Sequence, residues 1–298
     1  MRTSAWRRRD VVNGLLFASP WILGFLVFTL GPIVAALYYS FTEFNIIQTP
    51  RWIGLGNFQA MGDDELFWTS LYNTAFYALF HIPLVMVAAL AAAMLTNEKL
   101  PGQTIFRTAI FVPSVVSGVA LAVVFAVIFA GDFGLLNKML RIVGIHGPQW
   151  LGSMHWSKPA FILMSLWGIG SGMVIYLAGL QAIPAHLYEA ASIDGAGPVT
   201  RFLNVTVPLL TPTIFFHMIT TVIGSFQIFT YAYVLTGGGP ADSTLFYVLY
   251  LYRLGFEYFK MGYASAFAWV LFVVVLALTI AQFLLGRRWV HYEEEAAR

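Results

Sequence analysis

Residues able to do chemistry are few and scattered in this chain. There is no cysteine, so disulfides, thiolate nucleophiles and zinc–thiolate centres are excluded. The six histidines fall at no ligand spacing, and no H-E-x-x-H run occurs. No G-x-x-x-x-G-K-[ST] run is present either, so nothing here binds ATP by a P-loop. The run Gly237–Gly238–Gly239–Pro240 lacks the lysine and leads into Ala241 and Asp242; it reads as a turn leaving the membrane. Glu293–Glu294–Glu295 reads as a solvated tail. Two groups of polar side chains recur at helical spacing. One is Thr220, Gly224, Gln227 and Tyr231, with Ser225 and Ile228 beside them; the other is Ser165, Gly168 and Ser171 around Trp167. Hydroxyls, an amide and aromatic faces suit a sugar, whose hydroxyls they bond and whose apolar face the rings cover. Small and polar residues also hold membrane helices together, so helix packing stands beside substrate contact for each of them.

The elements that carry these residues follow from composition. Of 298 residues, 59% are hydrophobic and 10% charged, with a net charge of +2. A soluble domain carries roughly 25% charged residues. That excludes a soluble globular enzyme, a disordered chain and a nucleic-acid binder, and leaves an all-α polytopic membrane protein. A bilayer core of about 30 Å takes about 20 apolar residues in a helix. Six stretches meet this length: 13–40, 69–95, 106–130, 159–182, 208–235 and 262–285. Charges or turns bound each, among them Arg9–Asp10, Asn97–Glu98–Lys99, Arg107, Gly131–Asp132, Lys158 and Arg287–Arg288.

An even number of spans puts both ends on one side. Arg2, Arg7, Arg8, Arg9, Lys99, Arg107, Arg287, Arg288 and Arg298 gather on that side, against Arg51, Lys138, Arg141, Lys158, Arg253 and Lys260 in the longer opposite loops. The positive-inside rule then places both termini, and the loop 184–207, in the cytoplasm. The organisation expected is a cytoplasmic tail 1–12, a transmembrane domain 13–286 and a cytoplasmic tail 287–298. Arg7–Arg8–Arg9 before an apolar run also fits a secretion signal, but the run continues past Pro20 and Pro32 without a small-residue cleavage site, as an uncleaved first span would.

No span carries a charge near its middle, whereas ion-coupled carriers keep an ionisable group in the membrane. His81 and His217 are the only candidates, and a lone histidine in a span reads first as hydrogen-bonded structure. The loop after the fourth span is unusual. Pro184 followed by Ala185–His186–Leu187–Tyr188–Glu189–Ala190–Ala191 and then Gly195 reads as a short helix with a stop. Pro198 starts a second, with Phe202, Leu203 and Val205. Ile183, Leu187 and Ala190 or Ala191 share one face. With Arg201 as its single basic residue, this segment is a poor lipid-surface helix, and its exposed apolar side chains call for a protein partner.

The stretch Glu189–Ala190–Ala191–x–x–Asp194–Gly195–Ala196, followed by Arg201, Phe202, Pro208 and Pro212, resembles the EAA motif of ABC importer permeases. The resemblance extends along nearly the whole chain. Gly54–Leu55–Gly56–Asn57–Phe58, Asn73–Thr74, Arg107 with Pro113, Gly134–Leu135–Leu136–Asn137, Leu235–Thr236–Gly237–Gly238–Gly239–Pro240 and Gly262–Tyr263–Ala264–Ser265–Ala266 are similar to the maltose, glycerol-3-phosphate and multiple-sugar permeases. The stretch from Trp167 to Pro184 is slightly shorter than in the maltose type, so Gly168–Gly172 transfer poorly. The resemblance implies a type I ABC importer permease with six transmembrane helices in the inner membrane of a prokaryote. It implies one half of a path for a carbohydrate, with Gly224, Ser225, Gln227, Ile228, Tyr231, Ser165, Trp167, Gly168 and Ser171 as candidate path residues. The partners implied are a second, homologous permease chain, two copies of a cytoplasmic ATPase that hold ATP and magnesium, an extracytoplasmic solute-binding protein and the bilayer. No cofactor, metal or nucleic acid is expected on this chain. Glu189 would meet a basic residue of the ATPase, and Asp194 would cap the second short helix or contact the ATPase. An ion-coupled secondary carrier or channel is the rival reading; a membrane-embedded enzyme lacks a catalytic constellation.

Overall fold

A computed structural model describes residues 3–98 and 101–290, with side chains from Val11 onward. Arg2, Lys99, Arg298 and Glu293–Glu295 lie outside the described residues, as do the side chains of Arg7, Arg8, Arg9 and Asp10. The chain forms two units, Met1–Asp63 with Leu251–Leu271, and Asp64–Tyr250 with Phe272–Arg298.

In the first unit, α1 (Thr3–Phe25) continues through a π turn, Leu26–Leu30, into α2 (Gly31–Ser40). Helix thus begins well before the expected span start at 13. A two-residue hairpin, β1 (Thr42–Glu43) with β2 (Arg51–Trp52), pairs antiparallel. Asn57 of α3 (Gly56–Gly62) donates to the Ser40 and Thr42 carbonyls at 2.9 Å each, which takes up the Ser40 carbonyl that α2 leaves open at its end and ties it to β1.

The second unit begins with α4 (Glu65–Asn97), whose start is fixed by Asp64: its Oδ1 accepts the Leu66 and Phe67 amides at 3.0 and 3.3 Å, an N-cap with an anion at the positive end. There follow α5 (Gln103–Phe111), a 3₁₀ turn Val112–Val115, α6 (Gly118–Ile128), α7 (Leu135–Ile142), α8 (Ser157–Ser165), a 3₁₀ turn Leu166–Gly168, α9 (Gly170–Ala182), α10 (Ala185–Ile193), α11 (Pro198–Arg201), a π turn Phe202–Thr206, α12 (Val207–Phe226) and α13 (Thr230–Leu235). α14 (Tyr247–Tyr252) and α15 (Met261–Gly286), the last helix among the described residues, each divide between the two units.

Among the described residues, four helical segments are long and apolar enough to cross a membrane: Val11–Ser40, Glu65–Asn97, Pro198–Leu235 and Met261–Gly286. Two bent pairs qualify together, Gln103–Val115 with Gly118–Ile128 at 100° and Ser157–Gly168 with Gly170–Ala182 at 48°. The third and fourth expected spans are these bent pairs rather than straight rods. Pro113 has no N–H to continue the ladder, and Ser117 is extended (ψ 134°). At the fourth, Gly168 and Gly170 are weak helix formers, and the Ser165 hydroxyl donates to the Ile162 carbonyl at 2.6 Å.

The core of this unit is α4 against α9 and α12. Ala89, Ala92 and Ala93 pack on Met173, Tyr176, Leu177, Leu180 and Leu210. In lipid the hydrophobic effect does not separate one apolar neighbour from another, so close contact between small residues drives helix association. Here the contact is tight: a Cβ on Gly170 would strike the Ile110 carbonyl and the Phe111 Cα, and one on Gly172 would strike His217 and Ala89. Pro212 inside α12 frees the Pro208 carbonyl, and the Thr211 hydroxyl takes it at 2.6 Å, which is how a membrane helix tolerates proline.

Candidate functional site

Three of the candidate membrane segments break, and the breaks meet. The fifth span, expected to run unbroken over 208–235, stops at Phe226 and resumes at Thr230, with Phe229 at φ −139°, ψ −63°. A Cβ added to Gly118, at the start of α6, would lie 3.5 Å from Thr230 and 3.8 Å from the Tyr231 hydroxyl. The turn Val112–Val115 before α6 touches the turn Leu166–Gly168, and Trp167 meets Phe125 of α6 edge-on, with centroids 5.7 Å apart. Non-helical backbone at membrane depth is tolerated only where protein buries it or where it lines a watered cavity. Gly224, Gln227, Trp167, Gly168 and Ser171 are exposed, Ser165 and Tyr231 are half-buried, and Ser225 and Ile228 are buried. The candidate path residues of the fourth and fifth spans therefore sit at or beside the breaks.

Ser225 has a defined partner. Its hydroxyl donates to the Thr221 carbonyl at 2.6 Å and lies 2.8 Å from His81 Nδ1. With its proton spent on the carbonyl, the Ser225 oxygen accepts from His81, so Nδ1 carries the hydrogen and Nε2 is left to face other groups. Tyr77, one turn earlier on α4, stacks on the imidazole at 4.7 Å. In the sequence alone His81 has no visible partner; the i, i+4 pair Tyr77–His81 is the available signal. His217, in contrast, packs edge-on against Tyr176 at 4.9 Å in the core. Thr220 bonds its own helix, at the Phe216 and His217 carbonyls.

A second polar knot goes beyond the sequence reading. The Gly237–Pro240 turn does more than leave the membrane: the residues after it fold back and are buried, with Thr244, Leu245, Phe246 and Tyr247 fully covered. Asn73 of α4 donates to the Asp242 and Leu245 carbonyls at 2.8 and 3.1 Å, and accepts from Lys158 Nζ at 2.8 Å. The Thr74 hydroxyl accepts the Tyr247 amide at 2.9 Å, and the Tyr250 hydroxyl donates to Asp64 at 2.8 Å. Burial pushes the Tyr247 phenol far above its ordinary pKa. Asn73 thus ties the starts of α4 and α8 to this returning loop.

In the loop after α9 the structure corrects three expectations. Pro184 precedes α10 in extended conformation instead of occupying its first turn. Asp194 closes α10 and does not cap α11; Gly197 stands at that cap, without a side-chain acceptor. The reason is the Schellman closure: Ala196 N–H bonds the Ala191 carbonyl at 2.9 Å and Gly195 N–H bonds Ser192 at 3.1 Å, with Gly195 at φ +76°. Third, Ile183 and Leu187 turn inward, Ile183 onto the core, while Ile193, Val199 and Leu203 point outward, Ile193 at 86% exposure. The second short helix is the first turn of the fifth span, continuous through the π turn Phe202–Thr206. Glu189 and Ala190 are exposed and Ala191 and Ala196 half-buried. Arg201 reaches back to the Ser192 hydroxyl at 3.1 Å, while Phe202 and Pro208 are half-buried where the helix enters the span.

Residues 84–291 match the family described as binding-protein-dependent transport system inner membrane component. The chain belongs to this family. It is a multi-pass membrane permease component. A probable ABC transporter permease of Bacillus subtilis (strain 168), YesP, is 44% identical over 99% of the permease and 97% of its own length. The lactose transport system permease LacF of Rhizobium radiobacter is 38% identical over 95% and 97%. The fold is similar to a chain of a bacterial ABC transporter involved in the import of the acidic polysaccharide alginate, with TM-score 0.84, 24% identity and coverage of 96% and 99%. The relatives are ABC transporter permeases, so the catalytic ATPase of such a system resides on another subunit. No group of three or more metal-ligating side chains occurs among the described residues.

Proposed function

We propose that this permease forms half of the translocation path of an ATP-driven, binding-protein-dependent importer of a carbohydrate. Each bent pair is one span, giving six, with both termini and the loop 184–207 in the cytoplasm of a prokaryote. The observation that carries the reading is the meeting of three helix breaks, with polar but uncharged side chains at or beside them. Backbone and side-chain groups there offer hydrogen bonds to a neutral polyol without the cost of a buried charge. Gln227, Ser171, Tyr231 and Gly224 face the solute; Ser165, Trp167, Gly168 and Ile228 shape the wall. Ser225 and His81 position the α4 side of the path, and His81 Nε2 is the acceptor left for a sugar hydroxyl. The Rhizobium relative's name, lactose permease, supports the solute class.

The second half of the path is a homologous permease chain. ATP and magnesium are held by two copies of a separate ATPase, and an extracytoplasmic binding protein delivers the sugar. Closure of the ATPase pair pushes α10 and turns the spans. Glu189 makes the charged contact, Ala190 permits close approach, and the Schellman closure Ala191–Asp194–Gly195–Ala196 holds α10 at a fixed angle. Arg201, Phe202 and Pro208 pass the motion into the fifth span.

The test is uptake of labelled oligosaccharides into proteoliposomes holding the complex extracted from its own membranes, with ATP on the ATPase side. Accumulation should require ATP and binding protein. Gln227→Ala should raise the half-saturating sugar concentration on the order of tenfold, about 1.4 kcal/mol for a lost hydrogen bond to solute. Uptake that follows a proton or sodium gradient and ignores ATP would overturn the reading.

A further inference from the structure

A second surface outside the spans shows apolar side chains, and its charges differ from those of α10. Helix α7 joins the third and fourth spans. At 100° per residue, Leu135, Met139 and Ile142 form one stripe, and all three are exposed, Ile142 at 84%. Phe133 before the helix and Ile145 after it extend the stripe. The opposite side is fixed. Asn137 is buried, donates to the Gly131 and Pro148 carbonyls at 2.7 and 3.0 Å, and accepts from the Trp150 indole at 2.7 Å. These bonds close the loop 131–150 on itself and leave the helix no freedom to roll its stripe inward.

Two bases lie in these eight residues. Lys138 is exposed and falls on the edge of the stripe, 60° from Leu135 by the same 100° step. Arg141 lies 120° from Leu135, toward the Asn137 side, and pairs with Asp132 at 3.6 Å. α7 also touches α6, whose Val123, Val124 and Val127 are exposed apolar residues of a membrane segment. The stripe therefore continues an exposed apolar surface of a candidate membrane segment. An apolar stripe with a lysine on its shoulder fits a helix lying in the membrane interface, where the lysine stem runs along the apolar surface and its amine reaches the phosphates.

We propose that α7 is an interfacial anchor: Phe133, Leu135, Met139, Ile142 and Ile145 enter the acyl boundary of the leaflet between the third and fourth spans, and Lys138 binds lipid phosphate. On the six-span topology this is the outer leaflet, and the inference rests on that span reading. The anchor holds the segment between two broken spans level with the membrane while those spans move.

The chain has no cysteine, so single cysteines can be labelled in a native background. Nitroxides are placed at Met139, Ile142, His146 and Val127 in the full chain, extracted with its own partners and set in nanodiscs of phosphatidylethanolamine and phosphatidylglycerol. Collision rates with oxygen and with a water-soluble nickel chelate give depth. Oxygen should dominate at Val127, Met139 and Ile142, and nickel at His146. Lys138→Glu should shift the Met139 and Ile142 probes toward nickel, more strongly with phosphatidylglycerol than without it. Nickel access at Met139 and Ile142 equal to His146 overturns the anchor. Protection from both reagents also overturns it, because a protein then covers the stripe. Nickel access at Val127 as well would instead sink the span reading.

Discussion

The α10–α11 elbow and helix α7 both carry exposed apolar side chains, and they differ in charge. The α10–α11 elbow presents Ile193, Val199 and Leu203 beside Glu189 and Asp194, and its single arginine is turned back onto Ser192. Helix α7 presents Leu135, Met139 and Ile142 beside Lys138, while Arg141 is paired with Asp132. Equal apolarity thus calls for different neighbours. Carboxylates would be repelled by anionic headgroups and suit a basic protein groove, while bases suit phosphates. The two are also rigidified differently, one by a backbone closure around Gly195 and the other by the side chain of Asn137.

The largest effect should come from breaking the elbow. Gly195→Val puts a β-branched residue at φ +76°, a conformation costing an L-residue about 1–2 kcal/mol or more. The Schellman closure is lost, α10 points elsewhere, and ATP-driven uptake should vanish while the permease remains in the membrane; uptake assays beside membrane blots check this. Ile193→Lys should come next, lowering the apparent affinity for the ATPase roughly tenfold, since a charge replaces an apolar contact at an interface centre; titrating purified ATPase onto the reconstituted permease measures it. Asn137→Ala leaves two carbonyls and an indole N–H without their partner, at about 1–3 kcal/mol in all. It should lower the thermal midpoint in detergent by a few degrees and let α7 roll. The smallest effect is Ile142→Lys. A lysine in an interface extends its amine to the phosphates, so uptake and midpoint should hardly change. A loss as large as that of Ile193→Lys would make the two surfaces alike.

The spans are legible in the sequence because an apolar run of about twenty residues fits little besides a bilayer core. Their breaks are not. Periodicity persists across Gln227–Phe229, and nothing in Ile228 or Phe229 forbids a helix; tertiary contacts, not propensity, end α12 there. The existence of the α10 helix and its glycine stop follows from Pro184 and Gly195, but its inward face does not, because α10 packs by the direction in which α9 releases it. Asp194 looks like a cap for α11 by residue type; the Schellman bonds have a prior use for that corner. Ser225 is found by type and spacing. Its partner His81, 144 residues away, comes only from the packing of α4 on α12. The Asn73–Lys158 tie escapes for the same reason: both residues sit at span ends, where polar residues are expected anyway.

On the proposed function this chain is one permease of a two-permease, two-ATPase importer, held to its ATPases through α10. Native mass spectrometry of the tagged chain, gently extracted from its own membranes, tests it most directly. The expected result is a complex with a second membrane chain and two ATPase copies, and for Glu189→Ala with Gly195→Val a complex that keeps the second membrane chain and loses both ATPases. A wild-type chain that emerges alone or only with copies of itself, under conditions that preserve other membrane complexes, would contradict it.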